Sequence, residues 1–180
     1  VAKAKVESKE IQDLIDSQAG GFKLEPWDWN FYAEQVRKAK YDLDESQTKP
    51  YFELNTVLEK GVFFAAQQMY GITFVERKDL PVYNPDVKVY EVFDEKGTSI
   101  AIYYLDFYTR DNKNGGAWMS NLVSQSHYLK QKPVIINVYN FSKPVEGSPS
   151  LISFDDVITM FHEFGHTLHG LFANQEYVSL

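Results

Sequence analysis

Apolar residues recur along this chain with two different periods. Between residues 3 and 18, Val6, Ile11, Leu14 and Ile15 are spaced as a weakly amphipathic helix that Gly20-Gly21 would end. Pro26 or Asp28 opens a second helix that runs to about Tyr41. The aromatic cluster Trp27, Trp29, Phe31 and Tyr32 at its start reads as core packing or an inter-helix anchor, with an aromatic peptide-binding lip as the alternative. A polar stretch from Asp42 to Lys49 ends at the breaker Pro50. A third helix, capped by Asn55, reaches about Tyr70; Leu58, Val62, Ala65 and Met69 form its buried stripe and Gly71 ends it.

From Ile72 the period falls to two. Strands are expected at about residues 72–76, 87–94, 99–108 and 133–140, and Asp94-Glu95-Lys96-Gly97 is a hairpin turn pairing the second with the third. Ala117-Trp118-Met119 is a short apolar piece after the loop that ends in Gly115-Gly116. The last element is a helix from about Ser153 to Ala173, with Ser153 as N-cap and Asp156 as its capping-box partner. Ile158, Phe161, Leu168 and Phe172 recur at helical spacing and are expected to face the core. Three helices, a small mostly antiparallel sheet and a final helix make an α+β chain. No repeat, low-complexity segment or linker divides it, so residues 1–180 read as part of one domain.

Composition narrows the chemistry. With 44% hydrophobic and 16% aromatic residues the chain is globular rather than disordered, and 180 residues suffice for one core. A net charge of −7 argues against nucleic acid as a partner. With no Cys, any metal must be held by His and carboxylate. No apolar run has membrane-spanning length, and no apolar segment follows Val1–Lys5 as in a signal peptide. Without an initiator Met, and ending at Leu180, the chain is expected to be cut from a longer one.

The sharpest chemical signal is His162-Glu163-Phe164-Gly165-His166 inside the last helix. Residues four apart on an α-helix stand about 40° apart around the axis and about 6 Å along it, so both imidazoles can meet one ion. Glu163, one step round, can reach a water without ligating. This H-E-x-x-H pattern is that of zinc peptidases, with two neutral imidazoles on Zn²⁺ and the Glu as general base. His169 is read as orienting or packing beside the site, with a third-ligand role as the alternative. It stands where the metzincin pattern requires Gly, which disfavours that class. Gly115, Gly116, Ala117 and Trp118 carry two open readings: a sheet edge that holds extended substrate by its backbone, or a turn glycine pair followed by a core Trp. His127 reads as a surface residue, and Arg110 with Asp111 as an ion pair.

The run Phe161–Gly170 resembles the zinc helix of the thimet oligopeptidase family of metallopeptidases. Tyr104–Asp111, Gly115–Met119 and Lys143-Pro144 are similar to stretches that precede it in the peptidyl-dipeptidase branch (dipeptidyl carboxypeptidases). The resemblance implies a zincin-like fragment of a soluble, cytoplasmic, mainly helical and monomeric enzyme with a deep channel and one Zn²⁺. It implies metal ligands at His162 and His166, catalytic Glu163, and a third ligand, a Glu, on a later helix beyond Leu180. Glu176 lies too near the helix end to match that ligand. The expected activity is zinc-dependent hydrolysis of short peptides, releasing dipeptides from the C-terminus, with no nucleic-acid or membrane partner. The alternatives are an endo-acting oligopeptidase of the same family and a non-catalytic peptide-binding fragment.

Overall fold

The computed structural model describes residues 2–18, 20–41 and 45–178. Residues 42–44 of the polar stretch before Pro50 lie outside them. The chain divides into two compact units, Val1–Thr48 and Lys49–Leu180.

In the first unit, α1 (Ala2–Ser17) packs along α2 (Trp29–Tyr41), and a short α3 (Glu45–Thr48) follows. Ile11 and Ile15 are buried. Lys40 Nζ lies 2.9 Å from Glu10 and Gln18 donates to Gln35 at 2.9 Å, both across the α1–α2 pair. The aromatic cluster does not form a core: Trp27 and Phe31 are 79% and 66% exposed. Tyr32 alone packs on two rings, Phe22 and Phe31, at 5.9 and 5.0 Å.

The second unit is α+β. After a 3₁₀ turn at Lys49–Tyr51, residues 54–70 form one continuous helical run: α4 (Leu54–Thr56), a π-helical stretch (Val57–Phe63) and α5 (Phe64–Tyr70). Its N-cap is Glu53, not Asn55; the Glu53 carboxylate accepts from the amides of Asn55 and Thr56. The π-helical turns, closed by a bond from the Phe64 amide to the Glu59 carbonyl, rotate the later residues. The buried stripe is therefore Leu54, Leu58, Val62 and Ala66, while Met69 is exposed. Gly71, at φ +70°, ends the helix in the left-handed region that glycine adopts without strain.

Five strands follow: β1 (Thr73–Glu76), β2 (Lys88–Phe93), β3 (Ser99–Tyr108), β4 (Trp118–Val123) and β5 (Val134–Phe141). Their spatial order is β1-β2-β3-β5-β4. The β2–β3 hairpin pairs as expected, and every pairing is antiparallel except β3 with β5. β4 is a strand the apolar pattern did not disclose. It stands at the edge of the sheet, and its side chains are mostly exposed.

The last helix, α6 (Phe154–Leu171), begins with the capping box expected of Ser153 and Asp156. It lies on β4 and β5. Its buried face differs from the expected one: Met160, Glu163, Phe164, Thr167, Gly170 and Leu171 are inside. Leu168 packs at the margin of the core. Ile158, Phe161 and Phe172 are 53%, 41% and 44% exposed. Phe164 anchors the inner face among Phe74, Tyr103 and Phe63, with ring centroids at 6.0, 6.1 and 6.4 Å. Full burial of such a ring contributes about 1.5–3 kcal/mol.

Candidate active site

Phe164 sets the rotation of α6, and that rotation places its neighbours. Glu163, only 8% exposed, turns towards the sheet, whereas His162 and His166 lie on the exposed side. The two imidazole Nε2 atoms stand 3.3 Å apart, and the ring centroids 4.9 Å. Two nitrogens on one tetrahedral zinc, each at 2.0–2.1 Å, would be separated by about 3.3–3.4 Å. The pair therefore fits two positions of such a site. Among the described residues no set of three His, Asp or Glu side chains converges on a metal position. His169, exposed on the same helix, does not complete one.

A cavity of about 710 Å³ opens between α6 and β4. Glu163, His166, His169 and Gly170 line it from the helix, and Ala117, Trp118, Met119 and Asn121 from the strand side. The approach is close: a Cβ on Gly170 would stand 2.8 Å from Ile135 Cδ1 and 2.9 Å from Met119 Cε. Trp118 is 50% exposed, so it is not a core residue. Gly115 and Gly116 belong to the loop before the strand rather than to the edge itself, and Gly116 holds φ +88°.

That loop is held at its base by a buried ionic cluster that sequence spacing did not reveal. Asp106, 1% exposed near the end of β3, receives both Arg110 Nη atoms at 2.7 Å, Lys113 Nζ at 3.1 Å and the Tyr83 hydroxyl at 2.6 Å. Arg110 thus pairs with Asp106, where an Asp111 pair was expected. Burial alone would raise the Asp106 pKa; the bonds from Arg110, Tyr83 and Lys113 outweigh it and hold the carboxyl below its ordinary range. Burial lowers the Lys113 pKa despite Asp106 beside it. Lys113 also donates to the carbonyls of Tyr108, at 2.8 Å, and Tyr139. Asn140 Nδ2 donates to the carbonyls of Asn114 and Gly116, both at 2.7 Å, and steadies the entry to β4.

Behind Glu163 lies a second polar group, also missed. Asn137 on β5, Tyr139 and Thr167 are fully buried and hydrogen-bonded to one another. Burial drives the Tyr103 and Tyr139 hydroxyls well above the ordinary tyrosine range, so both remain protonated. A lone Asn inside the apolar run Val134–Tyr139 was the available sequence signal. His127 is exposed, its Nε2 against Asn174 Oδ1 and away from the α6 histidines.

The match to known proteins covers the whole chain: the model of peptidase family M3 aligns with residues 1–180. The chain belongs to peptidase family M3. It is 61% identical over 178 residues to dipeptidyl carboxypeptidase of Escherichia coli, across 99% of this chain and 26% of that protein. It is 40% identical over 173 residues to oligopeptidase A of the same organism, across 94% of this chain and 25% of that protein. A probable thimet oligopeptidase of Arabidopsis thaliana is 30% identical over 162 residues, across 88% of this chain and 23% of that protein. The chain thus spans about a quarter of the length of these relatives. Among the described residues no helix is long and apolar enough to cross a membrane.

Proposed function

We propose that the full-length M3 protein containing this chain is a zinc-dependent, zincin-like peptidase that releases dipeptides from the C-terminus of short peptides. The observation that carries the reading is the His162–His166 pair, its nitrogens 3.3 Å apart, beside a cavity that Glu163 lines opposite an edge strand.

His162 and His166 would hold Zn²⁺ with a third ligand from elsewhere in the protein. A zinc ion there would supply the Lewis acidity that polarises a scissile carbonyl and acidifies water. Glu163 takes the proton from the attacking water and returns it to the departing amine, the work of a general base turned acid. At 8% exposure its side chain stands at the cavity wall and not in open solvent. β4, paired on one side only by β5, offers its outer backbone groups to an extended peptide, which binds as an added strand. Strand addition reads backbone rather than side chains and so suits substrates of varied sequence.

The 61% identity to dipeptidyl carboxypeptidase, against 40% to oligopeptidase A, supports release of dipeptides. An exopeptidase of this kind must recognise a free carboxylate; an endo-acting oligopeptidase does not. The test is a matched pair of peptides, one ending in a free carboxylate and one in an amide, with products identified by mass. Stepwise loss of dipeptides from the free acid alone supports the reading. Equal internal cleavage of both replaces it with oligopeptidase action.

A further inference from the structure

β5 is apolar through its centre except at Asn137, which is buried to 0% exposure. A buried amide is costly unless its polar atoms find partners. Here Asn137 Oδ1 accepts from Thr167 Oγ1, and Asn137 Nδ2 donates to the Tyr139 hydroxyl at 2.9 Å. The Tyr139 hydroxyl in turn donates to the Met160 carbonyl at 3.4 Å. Thr167 Oγ1 also lies 3.1 Å from the Glu163 carbonyl, but a hydroxyl has one proton. The Asn137 oxygen, the nearer of the two acceptors, takes it. The bonds thus form a chain that links Thr167 through Asn137 and Tyr139 to Met160, with the buried Tyr103 hydroxyl against both Thr167 and Tyr139.

This chain meets α6 at two points, Met160 and Thr167, which flank Glu163 at helical spacing on the same buried face. Asn137 is also in register with Met119 of β4. One amide therefore references both the turn that bears Glu163 and the strand across the cavity from it. Apolar packing is non-directional and tolerates small rotations and slides of a helix; a satisfied buried network does not.

We propose that Asn137, Tyr139 and Thr167 are positioning residues that pin the rotation and height of α6 against the sheet. In doing so they fix the Glu163 carboxylate relative to the β4 edge. None of the three lines the cavity, so none touches substrate. The proposal rests on the peptidase reading of that cavity.

The test compares Thr167→Val, which keeps the shape and removes the donor, with Thr167→Ser, which keeps the donor, in the full-length protein. Zinc content, KM and kcat on a peptide, and amide hydrogen exchange across residues 160–168 are measured. Thr167→Val is expected to retain zinc and hold KM within about twofold while kcat falls roughly tenfold or more. Its amides across the Glu163 turn should exchange roughly tenfold faster, and Thr167→Ser should restore both kcat and exchange. A Val variant equal to wild type, or a Ser variant no better than Val, overturns the proposal. If Thr167→Val does not fold, Tyr139→Phe, which cuts the chain at its Met160 end, is measured with the same expectations. Failure of the unmodified protein to cleave any peptide would overturn the functional reading instead, and the exchange result would then decide the pin by itself.

Discussion

The Nε2 atoms of His162 and His166 stand 3.3 Å apart across one turn of α6, the separation of two nitrogens sharing one tetrahedral ion. Two imidazoles alone hold zinc weakly, because each further ligand adds coordination energy to a site the fold has already placed. The 180-residue chain should therefore lose zinc on dialysis, while the full-length protein retains about one ion per chain. His166→Ala in the full-length protein should bring its zinc content down to that of the dialysed chain. Elemental analysis of the three samples checks this.

Asp106 joins the end of β3 to the loop before β4 through Arg110 and Lys113. Asp106→Asn leaves two cations without their buried counter-charge and should cost about 3–5 kcal/mol in chemical denaturation. The pH dependence has a definite sign. The folded pKa of Asp106 lies below the ordinary carboxylate value, so its contribution is complete above about pH 4 and is lost as pH falls through the folded value. The stability gap between wild type and Asp106→Asn should therefore be widest near neutrality and shrink in acid.

What could be read from sequence was local. The Ser153–Asp156 capping box and the β2–β3 hairpin depend on residues within a few positions of each other, and both formed as expected. The rotation of α6 was not legible, because Ile158 and Phe161 are as apolar as Met160 and Phe164; the Phe63, Phe74 and Tyr103 rings, distant in sequence, receive Phe164 and favour the observed face. The stripe on residues 54–70 slipped from Ala65 to Ala66 because a π-helical stretch has no strong residue signature. β4 escaped notice because an edge strand with Ser120 and Asn121 exposed lacks the alternation of a half-buried one. The Asn137–Thr167 bond joins residues 30 apart, beyond the reach of any local pattern.

The two glycines of α6 should respond in opposite directions. No atom stands within 4 Å of a Cβ built on Gly165, so Gly165→Ala should stabilise this chain by about 0.5–1 kcal/mol through backbone entropy. At Gly170 the same methyl meets Ile135 and Met119 at under 3 Å. Overpacking there should cost about 1–3 kcal/mol and outweigh any propensity gain near the helix end. Thermal unfolding of the two variants gives the comparison.

The central claim is that Glu163 is the base of a zinc peptidase, and one substitution tests it most directly. Glu163→Gln keeps the side chain's shape and its place at the cavity wall but cannot accept a proton from water. Measured in the full-length protein, zinc content should be unchanged while kcat for a short peptide falls by roughly 10²–10⁴. Turnover close to wild type with zinc fully bound would contradict the account.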